Sequence, residues 1–238
     1  EITAGFETYN ATYKSDRILS GKQKLKNQSL FAQYDKVFLN QISAIIGLRI
    51  DNYSEYSSVL SPRVGFMYRF KENWKFRTSW GQGFRAPSFM ERFIDWNHVQ
   101  FNYLVQGNPD LEPEKSEGIN IGIEYVNTSK YQMSLMFYQT KFENLIEDFA
   151  IKPGLLSYQN IDKATFSGLE LMCQLRISDQ LDSRWGINWV NNVDGQNKTI
   201  PNTIPLSLTG STNYKHPKKP VNFSINTKWV GSYRPQEY

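Results

Sequence analysis

The chain has 238 residues, a formal net charge of +4, 15% aromatic and 21% charged residues, and one cysteine. Its Lys and Arg residues are scattered instead of clustered, which argues against a nucleic-acid partner. The lone Cys173 excludes an internal disulfide, and no apolar run approaches the roughly 18 residues a membrane helix needs.

From the N-terminus onward, the recurring pattern is strict alternation of apolar and polar residues, the signature of strands with one face buried. Eleven strands are expected, near residues 1–13, 27–38, 41–52, 60–71, 73–84, 114–127, 130–147, 163–178, 183–194, 203–215 and 220–231. Ile42, Ala44, Ile46, Leu48 and Ile50 alternate with Ser43, Gly47 and Arg49; Trp74, Phe76 and Trp80 oppose Lys75, Arg77 and Ser79; Val221, Phe223, Ile225 and Trp229 oppose Asn222, Ser224, Asn226 and Lys228. No Pro/Gly/Ser-rich linker divides the run, so residues 1–238 read as part of one domain.

Three features of the pattern point to a membrane. Many of the segments reach ten residues, where ordinary strands average five or six and a tilted bilayer-crossing strand needs about nine to eleven. The connections alternate in kind. Leu39-Asn40, 71–73, 127–130, 178–182 and 216–219 are short, whereas 14–26, 53–59, 85–113, 148–162 and 195–202 are long, the asymmetry of outer-membrane barrels. Finally, no amphipathic helix is expected that could cover the apolar faces. Lipid would cover them, with Trp74, Tyr125, Tyr131, Trp185 and Trp229 as interfacial girdles. The fold class is therefore all-β, a transmembrane antiparallel β-barrel; a soluble all-β binding protein is the alternative.

Catalytic constellations are missing: there is no G-x-S-x-G, P-loop, H-E-x-x-H or C-x-x-C, and His98 and His216 lie far apart, so no enzyme is expected. The specific signal lies in residues 61–117. It reads Ser61-Pro62-Arg63-Val64-Gly65, then Gly81-Gln82-Gly83-Phe84-Arg85-Ala86-Pro87, Glu91, and Asn108-Pro109-Asp110-Leu111-Glu112-Pro113-Glu114. Farther on come Tyr158, Asn160, Lys163, Ala164, Gly168 and Glu170. In order and spacing these segments resemble the S-P-R-x-G, G-x-G-F-R-A-P, N-P-x-L-x-P-E and Y-x-N-x-x-K-A-x-x-x-G-x-E motifs of TonB-dependent receptor barrels.

That resemblance implies a 22-strand barrel with a plugged lumen. It also implies outer-membrane lipid as surroundings, the TonB complex as partner, and a small-molecule metal chelate as cargo, with no intrinsic cofactor. The plug and the TonB-contacting segment are not in this chain. Eleven is an odd number where bacterial barrels are even, so the chain reads as a portion beginning and ending inside the barrel, with 232–238 opening an outer loop. A barrel that binds without transporting is the second reading.

Within the boxes, Pro87, Pro109 and Pro113 end strand pairing. Glu91, Asp110, Glu112 and Glu114 offer carboxylates to Arg85 or Arg92, fixing the long loop, so Phe84, Arg85, Ala86, Pro87, Glu91, Asn108, Pro109, Asp110 and Leu111 are read as its scaffold. His98 lies between the two boxes, where the haem-importing branch of the family carries a histidine that ligates haem iron. The resemblance thus implies His98 as a metal ligand, with Trp96, Phe101 and Tyr103, beside Phe93 and Ile94, packing on a porphyrin. Haem is the first expectation, a ferric siderophore the next and cobalamin the third.

Overall fold

A computed structural model describes residues 1–19, 21–127 and 130–235. Eleven long strands form one antiparallel path in the order of the chain. They are β1 (Ile2–Lys14), β2 (Lys22–Phe38), β3 (Ile42–Tyr53), β4 (Val59–Lys71), β5 (Trp74–Arg85), β8 (Glu114–Asn127), β9 (Tyr131–Lys152), β10 (Leu155–Arg176), β11 (Leu181–Asp194), β12 (Leu206–Lys215) and β13 (Asn222–Val230). Between β5 and β8 the chain forms a short helix α1 (Phe89–Phe93), a strand β6 (Asp95–His98), a 3-10 turn (Val99–Phe101) and a strand β7 (Tyr103–Gln106).

Register makes the two faces of the sheet coherent. Phe6, Leu30, Ile50 and Leu60 are successive cross-strand partners, so one apolar row runs over β1 to β4, and Trp74, Tyr125, Met133 and Cys173 continue such a row over β5 to β10. Because side chains alternate with period 2, the neighbouring positions put Glu7, Ser29, Arg49 and Ser61 on the other face. That polar face is the concave one: a hollow of about 350 Å³ is lined by Ser43, Gly65, Met67, Arg77, Asn120 and Met136. Polar groups pair across it, as where Arg49 pairs with Glu7 at 3.0 Å and Asp51 at 2.8 Å while Ser29 Oγ donates to Asp51 at 2.6 Å.

The apolar face has no protein over it. Among the described residues the only buried apolar side chains besides Pro87 are Ile18, Ile94, Leu111, Ile146 and Ala164, and all lie at the end of the molecule with the long connections. Ile46 stays 59% exposed and Leu30 61%. A Leu or Ile side chain left in water forgoes about 1.5–3 kcal/mol, so a whole face of them requires hydrocarbon around it.

The short connections share one rim. Leu39 and Asn40 both adopt positive φ, 51° and 54°, the left-handed geometry of a two-residue hairpin turn. Above this rim Phe70, Trp74, Tyr125 and Tyr131 form a run of ring contacts at 6.1, 4.9 and 5.4 Å, an aromatic girdle at the bilayer boundary. Trp229, by contrast, lies near the opposite end of its strand. The expected turn at 127–130 falls partly, and the expected outer loop at 232–238 ends, outside the described residues.

On the long-connection side the structure corrects two expectations. The first loop is shorter than 14–26, because β2 begins at Lys22. The segment 148–162 is not a loop: β9 and β10 continue as a paired hairpin that turns at Pro153-Gly154, with Gly154 at φ 80°. Pairing of β8 with β9 ends at Glu143, so Asn144 to Lys152 rise beyond it, about 30 Å at ~3.4 Å per residue. Within the long connection 85–113 the chain also forms the one-turn helix α1. Ser88 Oγ accepts from Glu91 N at 3.2 Å while Ser88 N donates to Glu91 Oε2 at 2.7 Å, a capping box that nucleates one helical turn.

Candidate functional site

The long connection 86–113 is held by its two flanking boxes. Arg85, the last residue of β5, pairs in register with Glu114, the first of β8. Its Nε and Nη2 donate to the two Glu114 oxygens at 2.7 and 2.6 Å, and its Nη1 donates to Glu91 at 3.0 Å. One guanidinium therefore clamps both strands to α1. The planar fork suits this bidentate arrangement in a way an ammonium does not. Glu114 also accepts from Ile146 N at 2.9 Å, which ties the projecting hairpin to the same point.

Around this clamp the remaining box residues make backbone contacts. Pro87 is buried directly after β5, and Phe84 packs on Tyr53 at 5.4 Å. Asn108 Nδ2 donates to Tyr158 O at 3.0 Å, and Asn108 Oδ1 accepts from Asp110 N at 3.0 Å. Leu111 is buried, and Asn160 grips both backbone groups of Glu112, at 2.9 Å each. The sequence reading offered carboxylates to Arg92 as well. Arg92 instead donates to Pro109 O at 3.0 Å and Tyr56 Oη at 3.0 Å, because Arg85 already occupies Glu91 and Glu114. Asp110 and Glu112 form no ion pair with either arginine among the described residues.

Glu91 carries a testable charge. Burial works to raise its pKa, but the Arg85 hydrogen bonds and the two Ser88 contacts outweigh that effect and hold it below the ordinary 4.5. A carboxyl lowered in the folded state stabilises the loop above its free pKa, and the contribution is lost as pH falls through the lowered value. Amide exchange at Ser88 is therefore expected to accelerate as pH drops below about 4.5, after correction for intrinsic rates. Glu91→Gln should remove the pH dependence; a wild-type profile unchanged over that range would refute the assignment.

Above the clamp, β6 and β7 form a hairpin that brings the proposed ligand residues together. His98 is the cross-strand partner of Tyr103, and Asn102, at φ 52°, makes the left-handed turn that folds the chain back. The His98 ring lies 4.6 Å from Trp96, 4.6 Å from Phe101 and 5.2 Å from Tyr103, centroid to centroid. Among the described residues neither imidazole nitrogen has a hydrogen-bond partner. Phe101 is 71% exposed, so the cluster opens to solvent. β7 runs parallel to the start of β10, pairing Leu104 with Leu155, and this docks the cluster on the projecting hairpin.

A part of the site not anticipated comes from the connection between β1 and β2. Leu19 N donates to Phe93 O at 2.8 Å and Asp95 N to Arg17 O at 2.8 Å, while Ile18 and Ile94, each 5% exposed, form an isolated bridge. Tyr13 stacks on Phe89 at 5.8 Å. β1 and β5 are four places apart in the sheet, so these contacts close over its concave side.

An antiparallel wall with an apolar outer face, sorted connections and a folded loop assembly at one rim defines an outer-membrane barrel of the receptor type. A family model described as the β-barrel of TonB-dependent receptors matches residues 2–238, and the chain belongs to that family, whose members are receptors and not enzymes. The iron-regulated outer membrane virulence protein of Vibrio cholerae is 26% identical over 183 residues, covering 71% of this chain and 28% of the relative. The ferrienterobactin receptor of Escherichia coli is 23% identical over 233 residues, covering 88% and 30%. In fold, the siderophore receptor PirA of Pseudomonas aeruginosa matches with TM-score 0.79 at 18% identity, over 98% of this chain and 42% of that one. The ferric enterobactin receptor PfeA of the same organism, as a mutant in complex with enterobactin, matches with TM-score 0.82 at 16% identity, over 100% and 40%. The chain spans less than a third of the length of these curated relatives.

Proposed function

We propose that this chain is the barrel portion of an outer-membrane receptor importing an iron chelate, with energy delivered by the TonB complex through a part of the receptor outside the chain, and that the chelate is haem. The observation carrying the haem reading is the His98 cluster: an imidazole with unengaged nitrogens, ringed by Trp96, Phe101 and Tyr103 at the exposed end of the long loop. Imidazole is a good iron ligand and flat aromatic rings pack on a porphyrin face. Among the relatives is a haemoglobin and haemoglobin-haptoglobin-binding protein of Haemophilus influenzae, 28% identical over 120 residues.

A ferric siderophore is the second reading. It is favoured by coverage, since the alignment to the ferrienterobactin receptor takes in 88% of the chain against 46% for the haemoglobin-binding relative.

The test uses the full-length receptor as the sole iron importer of a host cell. His98→Ala is expected to abolish growth on haem while leaving barrel assembly intact. Undiminished growth of the variant on haem would overturn the ligand assignment, and growth of the wild type on a ferric catecholate alone would move the proposal to the siderophore.

A further inference from the structure

The connection 15–21 contributes one side chain to the loop cluster that neither box motif contains. Arg17 lays its guanidinium over the Trp96 indole, with Cζ 4.9 Å from the ring centroid. That same indole touches His98 at 4.6 Å. Among the described residues the guanidinium has no carboxylate partner, and Arg17 is exposed. Its position does not depend on its charge, because the backbone is fixed independently by the Asp95 N to Arg17 O bond and by the buried Ile18–Ile94 bridge.

An arginine stacked on an indole keeps its in-plane N–H donors free, since the ring occupies only the face of the cation. The donors are thus held on the same indole that touches the imidazole, and they lack an acceptor among the described residues. A metal chelate bound at His98 presents such acceptors at its periphery. Haem carries two propionate carboxylates at the porphyrin edge, and an iron tris-catecholate carries net negative charge on its phenolate oxygens.

We propose that Arg17 is the anion-recognition residue of this site, pairing with a peripheral acid group of the chelate whose iron or aromatic face meets the His98 cluster. The inference rests on the proposed function in that it takes the cluster as the binding site. It adds that the ligand is an anion, and that the connection between β1 and β2 helps select it.

Affinity is measured on the full-length receptor in detergent with two probes, haemin and haemin dimethyl ester, which lacks the free carboxylates. Arg17→Gln, retaining much of the stem and losing the charge, should weaken haemin binding about tenfold, the scale of one charge-assisted hydrogen bond. It should leave ester binding unchanged, and Arg17→Lys should recover part of the haemin affinity. Amide protection at Asp95 reads the loop contact and should be the same in all three proteins. Equal weakening for haemin and ester, or no weakening for either, overturns the assignment. If the wild type binds no haemin, the haem reading fails on its own, and Arg17 is judged with an iron tris-catecholate: weaker binding by Arg17→Gln supports it, equal binding refutes it. Failure to bind either chelate overturns both.

Discussion

Arg85→Ala is expected to release the long loop from the barrel rim while leaving the membrane strands assembled. The wild-type side chain is 45% exposed, but the carboxylate it serves is not: Glu114 is 9% exposed and, among the described residues, has only Ile146 N as its other hydrogen-bond donor. Removing the guanidinium leaves a buried charge with one hydrogen bond in place of three, and frees Glu91 from its cation. Breaking a buried pair by deleting one partner costs about 3–5 kcal/mol, and the solvent reaching Arg85 places this case near 3 kcal/mol or somewhat below. Hydrogen exchange at Arg92, Ile94 and Asn108, whose amides bond to Ser88, Met90 and Glu91, should accelerate by roughly two decades. Exchange in β1 to β4 should not change. Arg85→Lys should recover less than half of the loss, because an ammonium cannot serve the four oxygens of two carboxylates at once as the fork does. Pairing Arg85→Ala with Glu114→Gln should relieve part of it, since the unpaired buried charge is then gone. Protection in the single Ala variant equal to wild type would mean that the clamp contributes nothing.

How far the fold was legible from the residues follows from where one face of the sheet must be apolar. Inside the bilayer an error of one position would turn Ile46 or Leu48 inward and Arg49 outward, so alternation is enforced and the eleven long strands could be placed from it. Above the bilayer that demand disappears. In 148–162, Asp148, Phe149, Ala150 and Ile151 are followed by Lys152, Pro153 and Gly154, with no apolar row, and the segment nevertheless pairs through its backbone and shifts register at Leu155/Leu156. Period-2 reasoning had nothing to detect there.

The site divides in the same way. His98 stands out in the sequence through its place between the two boxes, as the family resemblance implies, and aromatic residues crowd the same segment; the two strands of four residues that bring the rings together are not among the expected strands. The Ser88-x-x-Glu91 capping box was present in the sequence as a helix signal and was passed over in favour of the ion pairs Glu91 could make. Arg17 could not be found at all. It lies 79 positions from Trp96 in the numbering, and only the curling of β1 toward β5 brings the two connections into contact.

Gly107→Ala should be as damaging as loss of the clamp, by a steric route. Here the chain returning from β7 passes so close to α1 that a Cβ would stand 2.5 Å from both Arg92 C and Phe93 N, and 2.7 Å from Arg92 O. Those are backbone atoms at the end of a helix held by the capping box, so no rotamer change relieves the clash. The approach also carries hydrogen bonds, with Gly107 N donating to Ile94 O at 2.6 Å and Asn108 N to Glu91 O at 2.8 Å. Separating the two segments by the required ångström breaks both and unseats Arg92 from Pro109. Overpacking of this kind costs about 1–3 kcal/mol, and the rigid backbone puts it at the upper end. Gly65→Ala is the internal control: its Cβ would meet only Ile45 Cβ, at 3.9 Å, an ordinary contact, so less than about 0.5 kcal/mol is expected. Exchange at Ile94, Gly107 and Asn108 should rise strongly in the first variant and remain at wild-type rates in the second. Ligand affinity should fall with it, because the hairpin bearing His98 lies between α1 and Gly107 in the chain and loses this link at its base, keeping only its contacts to the β1–β2 connection and to β10. If Gly107→Ala binds and exchanges like the wild type, the close approach of the two segments is not what holds that hairpin in place.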